Sequence, residues 1–116
     1  VCFNPDFAYT VDGEYLGEFS YENFNAAIVQ IHIKGNPTHT GMAKNKMVNA
    51  VRIGTIINDL IPKKYPENTE GYEGFIHLEK IYGDVNGCDI TYLIRDFDIK
   101  EYEKKKELFI INNSFL

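Results

Sequence analysis

The stretch from Asn25 to Lys34, NAAIVQIHIK, constrains the fold more than any other part of the sequence. One face carries apolar residues only, namely Ala27, Val29, Ile31 and Ile33. The other face carries Ile28, Gln30, His32 and Lys34. This alternation predicts a β-strand with one buried face. The strand therefore needs a layer of other elements to cover that face.

The segment MAKNKMVNAVRIGTIINDLI, residues 42–61, changes to helical spacing. Its apolar stripe consists of Met47, Ala50, Val51, Gly54, Ile57 and Ile61. Steps of three and four residues predict an amphipathic helix, and Pro62 should end it. We expect the stripe to pack against the sheet.

Two β-rich runs follow a polar, proline- and glycine-containing loop at residues 62–74. The runs are FIHLEKIYGDV and CDITYLIRDF, and Asn86-Gly87 between them suits a type I′ hairpin turn. After them, Asp98 and Glu101 resemble a capping box. Ile99, Tyr102 and Phe109 suit one face of the helix that follows.

The complete order predicts an α+β fold. A first hairpin, FAYTV and YLGEFSYE around Asp12-Gly13, precedes a β-α-β-β-α series. That series is the ferredoxin-like pattern without its final strand, with both helices on one face of an antiparallel sheet. Because the missing strand would pair beside the first one, we expect the chain to be part of a longer protein.

Composition excludes several classes of function. The 116 residues, 44% of them hydrophobic, suit one compact domain. A net charge of -5 disfavours nucleic-acid binding. Cys2 and Cys88 are expected to be free thiols. No apolar run reaches the ~20 residues that cross a bilayer, so a cytoplasmic protein without membrane contact is expected.

Four separated motifs carry a resemblance to a known family. They are AYTVDGEYLGEFSYENFNAA, KGNPTHTGMAKNKMVNAVR, TEGYEGFIHL and YLIRDFD. In that order and spacing they closely resemble the peptidase T family, the tripeptide aminopeptidases among the two-zinc exopeptidases. The resemblance implies that residues 1–23 are the last strands of the first part of a catalytic domain. Residues 24–116 would then be the inserted dimerisation, or lid, domain without its final strand.

The resemblance also implies an activity. The full enzyme would release the N-terminal residue from tripeptides, use two zinc ions per subunit and form a homodimer through the lid. The isolated chain is expected to be inactive and to hold no zinc tightly. The alternative is a stand-alone ferredoxin-like binding or assembly module without catalysis.

Two candidate residues belong to the chemical step by resemblance. Asp12 matches a carboxylate ligand of zinc, whereas its position before a glycine alone indicates a turn residue. His39 matches the lid histidine that stabilises the developing oxyanion, whereas alone it could be a solvated loop histidine. Thr40 stands where the family usually has proline, which leaves the rigidity of this loop open.

Two further candidates would contact substrate. Arg95 matches a lid arginine that holds the C-terminal carboxylate of a short peptide. Pairing with Asp96 or Asp98 is the alternative role for Arg95. Asn36 would contact the substrate backbone, or act simply as a turn former. His32 and His77 lie in predicted strands and are expected to be ordinary residues.

Overall fold

The computed structural model describes residues 4, 6–9, 15–19 and 21–112. It contains strands β1 (Asn25–Lys34), β2 (Phe75–Gly83) and β3 (Gly87–Asp96) and helices α1 (Ala50–Leu60) and α2 (Ile99–Asn112). Short 3-10 helices cover Thr40–Met42 and Pro66–Asn68. The predicted β-α-β-β-α order is therefore confirmed.

The three strands form one antiparallel sheet in the order β1-β3-β2. The register places Asn25 opposite Asp96 and Lys34 opposite Gly87. In a ferredoxin-like sheet the strand after the first helix lies at an outer edge, and β2 does so here. Within the described residues, β1 and β2 form the two edges of the sheet.

The core lies between one face of the sheet and both helices. The alternation predicted for β1 is confirmed, since its apolar residues at odd positions are buried or half-buried. The innermost side chains come from β2 and β3, and they are Ile76, Cys88, Ile90, Tyr92 and Ile94. The Tyr92 hydroxyl lies 3.2 Å from Asn58 Oδ1 on α1. Burial raises the pKa of Tyr92 to about 12.

Helix α1 begins later than its apolar spacing predicts. Asn49 caps it by accepting a hydrogen bond from the Arg52 amide at 3.0 Å, and the helix starts at Ala50. The preceding residues are held in a loop because Val48 forms a β-bridge with Asn36. The buried stripe is otherwise as predicted. Gly54 permits close packing, since a Cβ there would lie 3.0 Å from Cys88 Sγ.

Helix α2 uses half of the predicted capping box. Asp98 Oδ1 accepts hydrogen bonds from the amides of Lys100 and Glu101, and these bonds lower the pKa of Asp98. The Asp98 amide donates to Asp96 Oδ1 at 2.9 Å, so Glu101 is not its partner. Of the three residues predicted to share one face of this helix, Phe109 is buried, Tyr102 is half-buried and Ile99 is exposed.

The β2–β3 hairpin is confirmed, but its turn is not type I′. Neither Asn86 nor Gly87 has the positive φ which that turn requires. Instead, Asp84 Oδ1 accepts a hydrogen bond from the Asn86 amide at 2.7 Å, which lowers the pKa of Asp84. Gly35 packs against this turn so closely that a Cβ would lie 1.9 Å from the carbonyl oxygen of Val85.

The predicted first hairpin has no counterpart in the described residues. Asp12 and Gly13 lie outside them, and residues 7–9, 15–19 and 21–24 are not in strands. Their large apolar side chains are exposed, namely Phe7, Tyr9, Tyr15, Leu16, Phe19, Tyr21 and Phe24. A two-stranded ribbon is marginal without a surface to pack on. No helix of the described part is long and apolar enough to cross a membrane.

Candidate functional site

The candidate residues lie at opposite ends of the sheet. Arg95 pairs with Ala26 at the start of β1, whereas His39 and Asn36 follow Lys34 at its end. At ~3.3 Å per residue, Ala26 and Lys34 are about 26 Å apart. Gly35 is fixed at the far end because its amide donates to the Asn86 carbonyl at 2.7 Å. The fold therefore separates His39 from Arg95 within one chain.

His39 is exposed and caps the 3-10 helix Thr40–Met42. Its Nδ1 accepts a hydrogen bond from the Gly41 amide at 3.2 Å, and its carbonyl accepts one from the Met42 amide at 2.8 Å. A neutral imidazole that accepts at Nδ1 carries its proton on Nε2. The cap thus leaves an Nε2–H donor on the outer side of the ring. It also holds the loop without the proline that Thr40 replaces.

Asn36 joins the two ends of the same loop. Its backbone forms a bridge with Val48, with N–O distances of 2.8 and 3.0 Å. Its side-chain Nδ2 donates to the Lys46 carbonyl at 2.9 Å. No hydrogen bond reaches Asn36 Oδ1 from the described residues. Asn36 is thus a loop-forming residue with one acceptor atom left for a ligand.

Arg95 is half-buried on the face of β3 that no helix covers. Its guanidinium carbon lies 4.6 Å from the centroid of the Phe24 ring. The alternative pairing with Asp96 or Asp98 is wrong, because Asp96 pairs with Lys105 and Asp98 caps α2. Among the described residues no carboxylate lies within salt-bridge distance of Arg95. Its side chain also makes no hydrogen bond to another described residue, so within this part of the chain its N–H groups are available to an anion.

A groove of about 280 Å³ opens beside Arg95. The loop between α1 and β2 forms one wall, and the ends of β2 and β3 form the other. Its lining is Phe24, Pro66, Thr69, Glu70, Gly71, Glu73, Phe75, Arg95, Asp96 and Phe97. The groove combines aromatic rings and one guanidinium group with three acidic residues, Glu70, Glu73 and Asp96. A ligand carboxylate is therefore suited only to the Arg95 end, and an apolar group to the aromatic rings.

An aromatic cluster of Phe24, Tyr72 and Phe97 borders the groove. Phe97 packs edge-on against Phe24 at 6.0 Å and against Tyr72 at 5.0 Å between ring centroids. The Tyr72 hydroxyl donates to the Glu22 carboxylate at 2.6 Å, and this bond raises the pKa of Tyr72. Sequence reasoning missed this cluster. The cluster depends on the pairing of Asn25 with Asp96, which brings Phe24 and Phe97 together, and no local sequence pattern indicates that register.

The family model described as "Peptidase dimerisation domain" matches residues 21–110. The chain belongs to this family. Peptidase T of Bacillus subtilis (strain 168) is 54% identical over 106 residues, covering 90% of this chain and 26% of that protein. Peptidase T of Clostridium novyi (strain NT) is 50% identical over 105 residues, covering 90% of this chain and 26% of that protein. Peptidase T of Staphylococcus saprophyticus is 51% identical over 113 residues, covering 96% of this chain and 28% of that protein.

The chain thus spans about a quarter of the length of these curated relatives. The match includes every motif in which Asn36, His39 and Arg95 were identified. It starts close to residue 24, where the lid was predicted to begin. That boundary and the roles of the individual residues stay predictions.

The described part of the dimerisation domain does not form a metal site. It brings no three His, Cys, Asp or Glu side chains into an arrangement that could hold a metal ion. His32 Nδ1 lies 2.5 Å from Asp89 Oδ1, a cross-strand pair on the open face of the sheet. His77 is half-buried in β2. Asp12, the predicted zinc ligand, lies outside the described residues.

Proposed function

We propose that this chain is the lid and dimerisation segment of a zinc-dependent tripeptidase, which removes the N-terminal residue from tripeptides in the cytoplasm. The observation that carries the proposal is Arg95, an arginine without a carboxylate partner among the described residues, set beside a groove in a chain about half identical to several peptidases T. A binding module without catalysis would not account for that identity.

Arg95 is the proposed clamp for the C-terminal carboxylate of the peptide. A guanidinium group offers donors in a planar fork that matches both carboxylate oxygens. The Phe24 ring covers one side of this cation and uses none of its N–H donors. The adjacent groove has room for a side chain of the bound peptide.

His39 is the proposed donor to the carbonyl oxygen of the scissile bond. Because the Gly41 amide donates to Nδ1, the proton of a neutral ring lies on Nε2, which would be the donor to the substrate. A donor at that position stabilises negative charge that develops only in the transition state. Asn36 Oδ1, in the same loop, would accept a hydrogen bond from a backbone amide of the substrate.

The proposed zinc site would be formed mainly by other parts of the full-length enzyme. Two zinc ions per subunit need several histidine and carboxylate ligands. Asp12 would be one carboxylate ligand among them. The described residues do not supply that set, so the isolated chain is proposed to be inactive.

The separation of His39 and Arg95 favours a site shared between two copies of the chain. The scissile carbonyl and the C-terminal carboxylate of a tripeptide lie about 7 Å apart, or two extended residues. The ends of β1 are separated by about 26 Å. Antiparallel pairing of β2 with its own copy would place the Arg95 end of one sheet at the same end as the His39 loop of the other.

Replacing Arg95 with alanine in the full-length enzyme should raise KM for a free tripeptide roughly 10- to 100-fold, as loss of a charged hydrogen-bonded pair predicts. Steady-state kinetics on trialanine and on trialanine amide would measure this effect. KM for the amide should rise much less, because the amide has no carboxylate for Arg95 to bind. Arg52→Ala, an exposed arginine on α1, is the control. Equal losses on both substrates would contradict the clamp.

Replacing Ile81 with glutamate should weaken dimerisation. Ile81 lies on the edge strand β2 and is 43% exposed, so a charge there opposes strand pairing between copies. Light scattering of the full-length enzyme over a dilution series should show dissociation at higher concentrations than in the wild type. Ile28→Glu, the matched change on the edge strand β1, should leave the dimer intact. The reverse result would assign the interface to β1.

A further inference from the structure

The side chain of Arg95 is held by an aromatic ring where an ion pair would be expected. Its guanidinium carbon lies 4.6 Å from the centroid of the Phe24 ring. We propose that Phe24 is a positioning residue that orients Arg95 for the substrate carboxylate. This inference rests on the proposed function of Arg95 as a carboxylate clamp.

An aromatic partner can orient Arg95 without occupying its N–H donors, as a carboxylate partner would. A glutamate or aspartate beside Arg95 would fix its orientation but would also occupy the N–H groups that must bind the substrate. The face of a ring attracts the cation through its quadrupole and accepts none of those N–H bonds in the guanidinium plane. Phe24 can therefore restrict Arg95 while all of its donors stay available.

Phe24 is itself held from two directions. Phe97 packs against it in a T-shaped arrangement with 6.0 Å between ring centroids, and Tyr72 packs against Phe97 with 5.0 Å between centroids. The adjacent Asn25 anchors the start of β1, because its Nδ2 donates to the Asp96 carbonyl at 3.1 Å. Although Phe24 is 45% exposed, its ring thus has a defined place beside Arg95.

The expected consequence is a lower entropic cost of substrate binding. A free arginine side chain loses rotamer freedom when it binds a carboxylate, and an arginine already held on a ring loses less. Phe24→Leu in the full-length enzyme should therefore raise KM for trialanine about 2- to 10-fold, with kcat nearly unchanged. Phe24→Tyr, which keeps the ring, should stay within about twofold of the wild type.

The selectivity for a free carboxylate is the readout that a merely structural role would not move. Phe24→Leu should reduce the ratio of kcat/KM for trialanine over trialanine amide, because the amide does not use the clamp. Ile56→Ala removes an exposed apolar side chain on α1, outside the groove lining, and should leave this ratio unchanged. If Phe24→Leu does not fold, as judged by its melting temperature, Phe24→Met makes the same test.

A double-mutant cycle decides whether Phe24 acts through Arg95. In an Arg95→Ala background, Phe24→Leu should have no further effect on KM. An undiminished effect in that background would overturn the inference, and so would a wild-type KM in the Leu and Met variants or a Leu-like KM in Phe24→Tyr. If Arg95→Ala raises KM but Phe24→Leu does not, only the positioning role fails. If Arg95→Ala leaves KM unchanged, the clamp itself fails and the inference fails with it.

Discussion

Replacing His39 with alanine in the full-length enzyme is expected to lower kcat roughly 100- to 1000-fold, with a much smaller change in KM. The Nε2–H group would contact the scissile oxygen strongly only once that oxygen carries negative charge. Its loss should therefore reduce turnover more than substrate binding. Steady-state kinetics on a tripeptide would separate the two quantities.

The capping role of His39 needs its own control, because its Nδ1 accepts a hydrogen bond from the Gly41 amide. Asparagine is a good capping residue, so His39→Asn should preserve the loop while removing the imidazole donor. We expect this variant to have the melting temperature of the wild type and to lose as much turnover as His39→Ala. His32→Ala, which removes an exposed histidine on the sheet, should keep full activity. Wild-type turnover in both His39 variants would show that His39 only caps the 3-10 helix and does not act in catalysis.

Mixing two inactive variants would test whether His39 acts across the dimer. His39→Ala chains would be combined with Asp12→Ala chains, which should lack a zinc ligand and be inactive on their own. If each site takes His39 from the second copy, every hybrid dimer has one intact site. A statistical mixture should then recover about a quarter of wild-type activity. Hybrids that form but show no activity would place His39 in the site of its own chain.

Local pattern was sufficient to predict the elements of the sheet and the helices. The alternation of β1 places apolar side chains on one face whatever the partner strand is, and the stripe of α1 likewise requires one buried side. Boundaries and turns were harder to predict. The start of α1 depends on a bridge between Val48 and Asn36, and the hairpin turn depends on the carboxylate of Asp84.

The surroundings of the candidate residues could not be predicted because they depend on strand register. Asp96 is next to Arg95 in sequence but does not pair with it, because neighbouring side chains on a strand point to opposite faces. Phe24 is far away in sequence and meets Arg95 only because β1 pairs with β3. The tautomer of His39 likewise depends on a hydrogen bond that composition and spacing do not reveal.

The end of β3 carries the only buried ion pair found among the described residues. Asp96, with its side chain 4% exposed, accepts hydrogen bonds from Lys105 Nζ and from the Asp98 amide. Gly74 leaves the space for this carboxylate, since a Cβ there would lie 2.1 Å from Asp96 Oδ2. The pair therefore connects α2, the end of β3 and the loop that forms the groove beside Arg95.

Replacing Lys105 with methionine should destabilise this region by about 3 kcal/mol, because the apolar stem is kept while a buried carboxylate loses its cation. Hydrogen exchange of the β3 and α2 amides in the full-length enzyme would report the free energy of opening. Lys104→Met, which removes the exposed pair with Glu101, should leave these amides unaffected. Equal hydrogen-exchange protection of these amides in both variants would contradict a stabilising role for the pair of Lys105 with Asp96. If the Lys105 variant also loses affinity for trialanine, Asp96 would link the packing of α2 to the carboxylate clamp on the other face of the sheet.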